Sequence, residues 1–185
     1  GNGGFGDSGV WDAYGNLTLT SVGMVRRQTY EARFNVTNPA TSQGSPGVRM
    51  RASVRSVYGD ISPLVSVLAD RNQAELLGVA NGSSPLKVLV PELEVRTVEQ
   101  NTPFAGVVNT ITVSIKANCD LPAGSTVTIH ELTGSATPNG TLGIVRGNGG
   151  FGDSGVWDAY GNLTLTSVGM VRRQTYEARF NVTNP

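Results

Sequence analysis

Residues 1–39 recur without a single change as residues 147–185, an offset of 146 residues. A chain that repeats itself at a fixed spacing has to fold as units that follow one another, which restricts it to modular architectures. The sequence holds one full period and the opening of the next. It starts in a glycine run and stops at Asn184-Pro185, so the expectation is a window on a longer periodic polypeptide. A periodic chain without a catalytic constellation points to a structural array.

The charge balance fits that expectation. One period, residues 1–146, carries 11 Lys plus Arg and 11 Asp plus Glu. Neutral periods can be repeated many times without building up self-repulsion. A net charge near zero also favours association, which suits a fibre. No strongly basic face is visible, so nucleic acid is not an expected partner. No apolar run approaches the ~20 residues needed to cross a bilayer. No leader peptide is visible, and a window from mid-chain would not contain one.

The pattern along the chain is nearly all β: short alternating runs separated by Gly, Pro, Asn and Asp. In 109–116, Ile111, Val113 and Ile115 share one face while Thr110, Thr112 and Ser114 share the other. Val127 and Ile129 share a face in 126–129, and Leu17 and Leu19 do so in 17–22. Tyr30, Ala32, Phe34 and Val36 line one side of 29–37; Val48, Met50, Ala52 and Val54 line one side of 48–57. Further strands are expected over 64–68, 86–90, 93–98 and 142–145. Only 70–77 could form a helical turn or two. About nine strands per period, with turn signals between them, fit a two-sheet sandwich.

Pro91 interrupts the run 86–98, because proline cannot donate to a strand ladder. The module boundary is therefore placed near Pro91 and Glu92. Residues 1–92 are then the C-terminal part of one module with linker strands, and residues 93–185 the N-terminal part of the next. On this division each module within the chain is partial. The missing strands would come from the continuing chain or from a neighbouring molecule.

Three stretches, NTITVSIKANCDLPAGSTVTIHELTGSATPNGTLGI (109–144), FGDSGVWDAYGNLTLTSVG (151–169) and YEARFNVTNP (176–185), carry a resemblance. Their order is similar to a repeat of large surface proteins of algae and other protists, and the likeness covers most of the period. The resemblance implies immunoglobulin-like β-sandwich modules in tandem, used in extracellular filaments such as glycan-coated fibrils and mastigoneme-like flagellar hairs. It implies no catalytic or metal-binding residues.

Glycan is suggested by the residues themselves. Asn16, Asn35, Asn81 and Asn139 open N-glycosylation sequons, and Asn162 and Asn181 are the second copies of the first two. Asn35 lies on the polar side of its strand, and the other three lie in turns, where a sugar would not invade a core. Turns also favour Asn and Gly for their own sake, which is the plainer explanation of the clustering. Five Ser/Thr-Pro pairs, Ser45-Pro46, Ser62-Pro63, Ser84-Pro85, Thr102-Pro103 and Thr137-Pro138, read either as O-glycan regions or as plain turn starters.

Other features carry less chemistry. The stretch 147–152 matches G-x-G-x-x-G but leads into Asp153-Ser154-Gly155-Val156-Trp157, which has no helical period. Dinucleotide binding needs a helix N-terminus there. A glycine-rich crossover whose Phe151 and Trp157 plug the core is the preferred reading, with calcium at Asp153 a remote alternative. Cys119, the only cysteine, is expected to be a buried packing thiol, with an intermolecular bridge or a reactive thiol as the alternative. His130, the only histidine, is expected at the surface beside Glu131. Arg49, Arg51 and Arg55 share one outer strand face, either solvated or a strip for acidic sugar or a neighbouring subunit. No pair among Asp7, Asp12, Glu31, Asp60 and Glu131 stands out as the acid and base of a glycosidase.

The sequence therefore suggests a non-enzymatic structural subunit of a glycosylated extracellular filament, without cofactors, whose partners are further copies of itself joined head to tail, with strand exchange as one way of joining them. The alternative is an adhesin or carbohydrate-binding module on a tandem stalk, which would need an aromatic platform. Trp11 with Tyr14, and Trp157 with Tyr160, are the only close aromatic pairs, and on one strand they would face opposite sides.

Overall fold

The computed structural model describes residues 3–59, 61–63 and 65–185. Asp60 and Leu64, together with Gly1 and Asn2, lie outside the described residues. The chain divides into two compact units, Gly1–Asn38 and Pro39–Pro185. No helix is present among the described residues, and the protein is all-β.

The first unit is a hairpin of β1 (Phe5–Trp11) and β2 (Leu17–Ser21), followed by residues 22–38, which form no strand with any described residue. The second unit begins with four short strands, β3 (Arg49–Met50), β4 (Ser53–Arg55), β5 (Ile61–Pro63) and β6 (Val67–Leu68). Among the described residues they pair as β3 with β6 and β4 with β5. Then come β7 (Leu93–Gln100), β8 (Val108–Ala117), β9 (Thr126–Ile129), β10 (Gly140–Gly147), β11 (Phe151–Trp157), β12 (Leu163–Ser167) and β13 (Tyr176–Thr183). These seven form one antiparallel sheet in the order β7-β8-β13-β10-β11-β12-β9.

The sheet curls because β10 serves both of its halves. Residues 140–143 pair with β11, while Ile144, Arg146 and Gly147 pair with β13 across a register shift. Such an irregularity bends a strand and raises its twist. The two halves close over one core drawn from β8 and β13 on one side and β11 and β12 on the other. Strands β10, β11 and β12 form a meander whose last strand returns to lie beside β9, the strand that precedes it in the chain, which is a Greek-key arrangement.

Alternation builds this core. Ile111, Val113 and Ile115 are buried, with Thr110, Thr112 and Ser114 between them half-buried. In β13, Tyr176, Ala178, Phe180 and Val182 are buried and Asn181 is exposed. The pairing runs Tyr176 to Ile115, Ala178 to Val113 and Phe180 to Ile111, and at its far end Thr183 to Val108. On the other flank of β8, Leu93 of β7 meets Ala117. A one-residue slip would turn every one of these apolar side chains to solvent, so burial itself fixes the register.

Gly155 lets the second half close. A Cβ there would lie 2.8 Å from side-chain carbons of Leu163 and Leu165, both fully buried. The glycine thus admits the two leucines against β11. Gly150 does the same for the Tyr176 ring.

Several sequence expectations change. Residues 151–157, read as a crossover, form strand β11, and Trp157 does plug the core. The run 70–77 is not helical. Leu76 and Val79 bond each other across a tight turn, with Leu77 and Gly78 both at positive φ. That turn is held by Asp120, whose N–H donates to Leu77 O, and by Arg172, whose Nη1 donates to Gly78 O at 2.8 Å. The expected strand over 48–57 breaks into β3 and β4, all of whose residues are exposed. Over 86–90 only Val88 makes a bridge, to Gln43.

Candidate glycan-bearing surface and the duplicated segment

Asn139 sits immediately before β10 and is exposed; neither its side chain nor that of Asn35 makes a hydrogen bond to a described residue. Asn181, the second copy of Asn35, is exposed in the middle of β13, because it alternates with buried Phe180 and Val182. Its Oδ1 accepts from Thr110 Oγ1 at 2.9 Å, which leaves Nδ2, the atom that carries an N-linked sugar, unengaged. Asn81 is exposed with φ of 56°, in a turn where Ser84 N–H donates to its carbonyl.

Asn16 and Asn162 are different. In the second copy, Asp158 Oδ1 accepts from the N–H groups of Tyr160 and Asn162, and Asp158 Oδ2 accepts from Asn162 Nδ2 at 2.8 Å. Asn162 Oδ1 in turn accepts from Glu131 N–H at 3.2 Å. The first copy repeats the same Asp12–Asn16 bonds. These bonds hold the Asp158 carboxyl below the usual carboxylate range, chiefly through the Asn162 N–H and its side chain. Asp12 is lowered in the same way, with the Asn16 side chain first. A sugar replaces one of the two Nδ2 hydrogens, so at these positions it competes with the turn for the same amide.

The Ser/Thr-Pro pairs also separate. The Ser84 hydroxyl is buried, 7% exposed, and donates to Asn72 O. Ser45 donates to Pro85 O at 2.7 Å. Thr137 Oγ1 accepts from Thr183 N–H and Ser135 Oγ. Ser62, beside Pro63 in β5, is exposed. The Thr102 hydroxyl, beside Pro103, only accepts a long bond from Phe104 N–H. Pro46, Pro85 and Pro138 are exposed.

The G-x-G-x-x-G stretch runs straight into β11, so no helix N-terminus stands behind it. Among the described residues no three His, Cys, Asp or Glu side chains converge as a metal site requires. His130 is exposed. Cys119 is a free, buried thiol that burial pushes above its ordinary pKa, with Asp120 adding to the shift and Arg172 opposing it. Arg49, Arg51 and Arg55 are exposed, but on two strands and the residues between them. Trp157 ends β11 inside the core while Tyr160 lies in the following turn, so the pair is not on one strand.

Sequence reading overlooked two polar devices. One is the Asp158–Asn162 clasp, for which the Asp-x-x-Gly-Asn spacing was a usable signal. The other is Asn109, 1% exposed at the start of β8. Its Nδ2 donates to Gln100 Oε1 and Asn184 Oδ1, and its Oδ1 accepts from Asn101 and Thr102 N–H groups. Asn184 lies 75 residues further along the sequence, so no local pattern announces the full set.

The duplicated segment adopts its local structure twice. Both hairpins have the same register, Trp11 to Leu17 and Trp157 to Leu163, with the same shift nearer the N-terminus. Tyr30 Oη accepts from Val25 N–H at 2.8 Å, as Tyr176 Oη does from Val171 N–H. What differs is the ladder, formed by 176–183 but not by 30–37 among the described residues, and burial. Trp157 and Phe180 are 3% and 0% exposed, whereas Trp11 and Phe34 are 52% and 58% exposed. The open face of the first copy bounds a cavity of about 730 Å³ lined by Phe5, Trp11, Leu17, Leu19, Phe34 and Val36 among others.

No helix among the described residues is long and apolar enough to cross a membrane. Set against protein families, curated proteins and solved structures, the chain matches none of them.

Proposed function

We propose that this chain is a structural subunit of a glycosylated extracellular filament, built from immunoglobulin-like β-sandwich modules that follow one another at the 146-residue period. The observation that carries the reading is the duplicated segment. One sequence occurs twice, forms the same hairpin twice, and in its second position supplies three strands of a Greek-key sheet closed over a single core. Greek-key connections are usual in sandwiches of this class. A repeated unit whose cohesion is internal to each module suits a load-bearing array, and its partners are copies of itself placed head to tail.

Glycans are the second part of the proposal. Asn139 and the Asn35/Asn181 pair present free, exposed amides, and Asn81 is exposed in its turn. Sugars at these positions would cover a surface that carries no net charge and limit side-by-side association. Of the O-glycan regions, Ser62-Pro63 and Thr102-Pro103 leave a hydroxyl without a structural task as donor.

The test is electron microscopy of the native material, combined with mass spectrometry of its glycopeptides. Periodic filaments with sugar on Asn139 and Asn35/Asn181 are expected. Discrete particles with bare asparagines, holding a sugar against Trp11 or Tyr14, would replace this reading with a carbohydrate-binding module. Filaments that stay unbundled after enzymatic deglycosylation would remove the covering role of the glycans alone.

A further inference from the structure

Residues 44–87 fold back on themselves around a second cavity, of about 240 Å³, lined by Ser45, Arg71, Gln73, Asn81, Ser84 and Lys87 among others. Its shape is set by bonds within the same stretch. Ser45 Oγ donates to Pro85 O, and Ser84 Oγ to Asn72 O. Arg71 Nη1 donates to Ser45 O at 3.3 Å, and Lys87 Nζ to Ala80 O. All of these residues belong to one period, so the lining of the cavity is complete within each period.

What the lining leaves unused is one-sided. Both hydroxyls already give their hydrogen to a carbonyl. An arginine has five N–H donors and a lysine three, and Arg71 and Lys87 each use one on a described residue. Gln73 and Asn81 add amide N–H groups. No carboxylate lines the cavity. Among the described residues neither cation forms an ion pair, although Asp70 and Glu75 are close in sequence. Two cations therefore share a small polar cavity without a carboxylate partner, and Lys87 is half-buried there. A guanidinium fork beside an ammonium is a donor set that grips an oxyanion, with two parallel bonds from the arginine and a point charge from the lysine. The volume is below the roughly 300 Å³ at which drug-sized ligand sites begin, so it fits a charged group on one sugar ring rather than an oligosaccharide.

We propose that this cavity is an oxyanion site that takes the sulfate ester or carboxylate of an acidic sugar. Asn81, a sequon asparagine, is exposed in its lining, so a sugar attached there would start beside the two cations. Arg49, Arg51 and Arg55 offer no such set, because they are spread over two strands and do not line the cavity. The anion chemistry stands on the cavity alone, whereas a sugar as its natural source rests on the glycosylated filament proposed above.

The test titrates the full, unglycosylated chain with glucose 6-sulfate, glucuronate, inorganic sulfate and glucose, followed by amide NMR shifts at low salt. The two acidic sugars are expected to saturate at about millimolar concentration, with shifts confined to residues 44–45, 71–73 and 81–87. Raised salt should weaken them, since charges near the surface are screened over about 8 Å at physiological ionic strength. Arg71→Gln and Lys87→Gln should each weaken binding about ten-fold, and Arg49→Gln should leave it unchanged. Arg71→Lys keeps the charge but loses the fork, so it should weaken binding less, and it decides the matter if a neutral variant fails to fold. Absence of saturation, shifts that lie elsewhere, or undiminished binding in both Arg71 variants would overturn the site. Glucose binding as tightly as its sulfate would overturn the anion chemistry. Inorganic sulfate binding as tightly as the sugar sulfate would overturn the sugar as ligand. Acidic sugars bound by a chain whose native glycopeptides carry no sugar would uphold the site and remove the glycan part of the proposed function.

Discussion

Asn109 Nδ2 donates to Asn184 Oδ1 at 2.9 Å and so ties the start of β8 to the residue just beyond β13. All four hydrogen-bonding positions of the Asn109 amide are filled, and the side chain is out of contact with water. Asn109→Ala would remove the partner of Gln100 Oε1, Asn184 Oδ1 and Thr102 N–H, while Asn101 N–H keeps its bond to Thr110 O. It is expected to destabilise the chain by about 2–4 kcal/mol, since each orphaned buried group costs about 1–3 kcal/mol and some regain water. Urea unfolding followed by circular dichroism measures it, and a loss below about 0.5 kcal/mol would show the network to be dispensable.

Ile115 lies in β8, outside the duplicated segment, and is 2% exposed. Ile115→Ala is expected to cost about 2–5 kcal/mol and Ile115→Val about 0.5–1.5 kcal/mol. Val57→Ala, at a side chain 94% exposed, should stay within about 0.5 kcal/mol. Equal effects at the two sites would contradict the assigned core.

The Asp158 carboxyl is held low by its bonds to Asn162 and Tyr160. A depressed native value means the carboxylate form is the one that folding favours. Its contribution is therefore complete above the unfolded aspartate value of about 3.9 and is lost as pH falls through the lower native value. Unfolding midpoints measured from about pH 6 down to about pH 2 should fall across that window. The fall should be shallower in Asp158→Asn. An unchanged slope in that variant would assign the acid sensitivity elsewhere.

Sequon asparagines can be sorted by substitution. Asn139→Gln is expected to remove a glycan without moving stability by more than about 0.5 kcal/mol, because its side chain makes no bond. Asn162→Gln should cost about 1–2 kcal/mol even in bacterially produced protein that carries no sugar, because the clasp to Asp158 and Glu131 is lost. Denaturation of the two unglycosylated variants side by side checks both values.

The Cys119 thiol is buried and pushed toward its protonated form, so both access and nucleophilicity are reduced. Native protein should react with a disulfide reagent at about pH 8 at least ten-fold more slowly than protein in denaturant. Equal rates would place the thiol at the surface.

Much of the seven-stranded sheet was legible from alternation alone. The faces of 109–116 and 176–182 follow from β-branched and aromatic residues at every second position, and burial in the structure matches them. Strand β11 was not legible, because Gly152 and Gly155 weaken the pattern, and Gly155 is there for Leu163 and Leu165 rather than for the strand itself. The non-helical turn at 76–79 was hidden because Asp120 and Arg172, which hold it, are remote in sequence. The clearest limit is the segment 29–37. Its alternation is as good as that of its copy, yet it forms no ladder, since a strand needs a partner as well as a pattern. Of the candidate glycan sites, the sequons were plain to read, but whether each amide was free depended on contacts such as Thr110 to Asn181.

The pairing of Leu93 with Ala117 and of Thr183 with Val108 puts the two ends of the seven-stranded sheet's chain at opposite ends of β8. At about 3.3 Å per residue, β8 separates them by roughly 30 Å. A pull between those points would run along the strands and load the β7–β8 and β8–β13 ladders in shear. Hydrogen bonds in such a geometry share the force together instead of parting one by one like a zip, so the register that buries the core also sets the direction in which the module is hardest to tear.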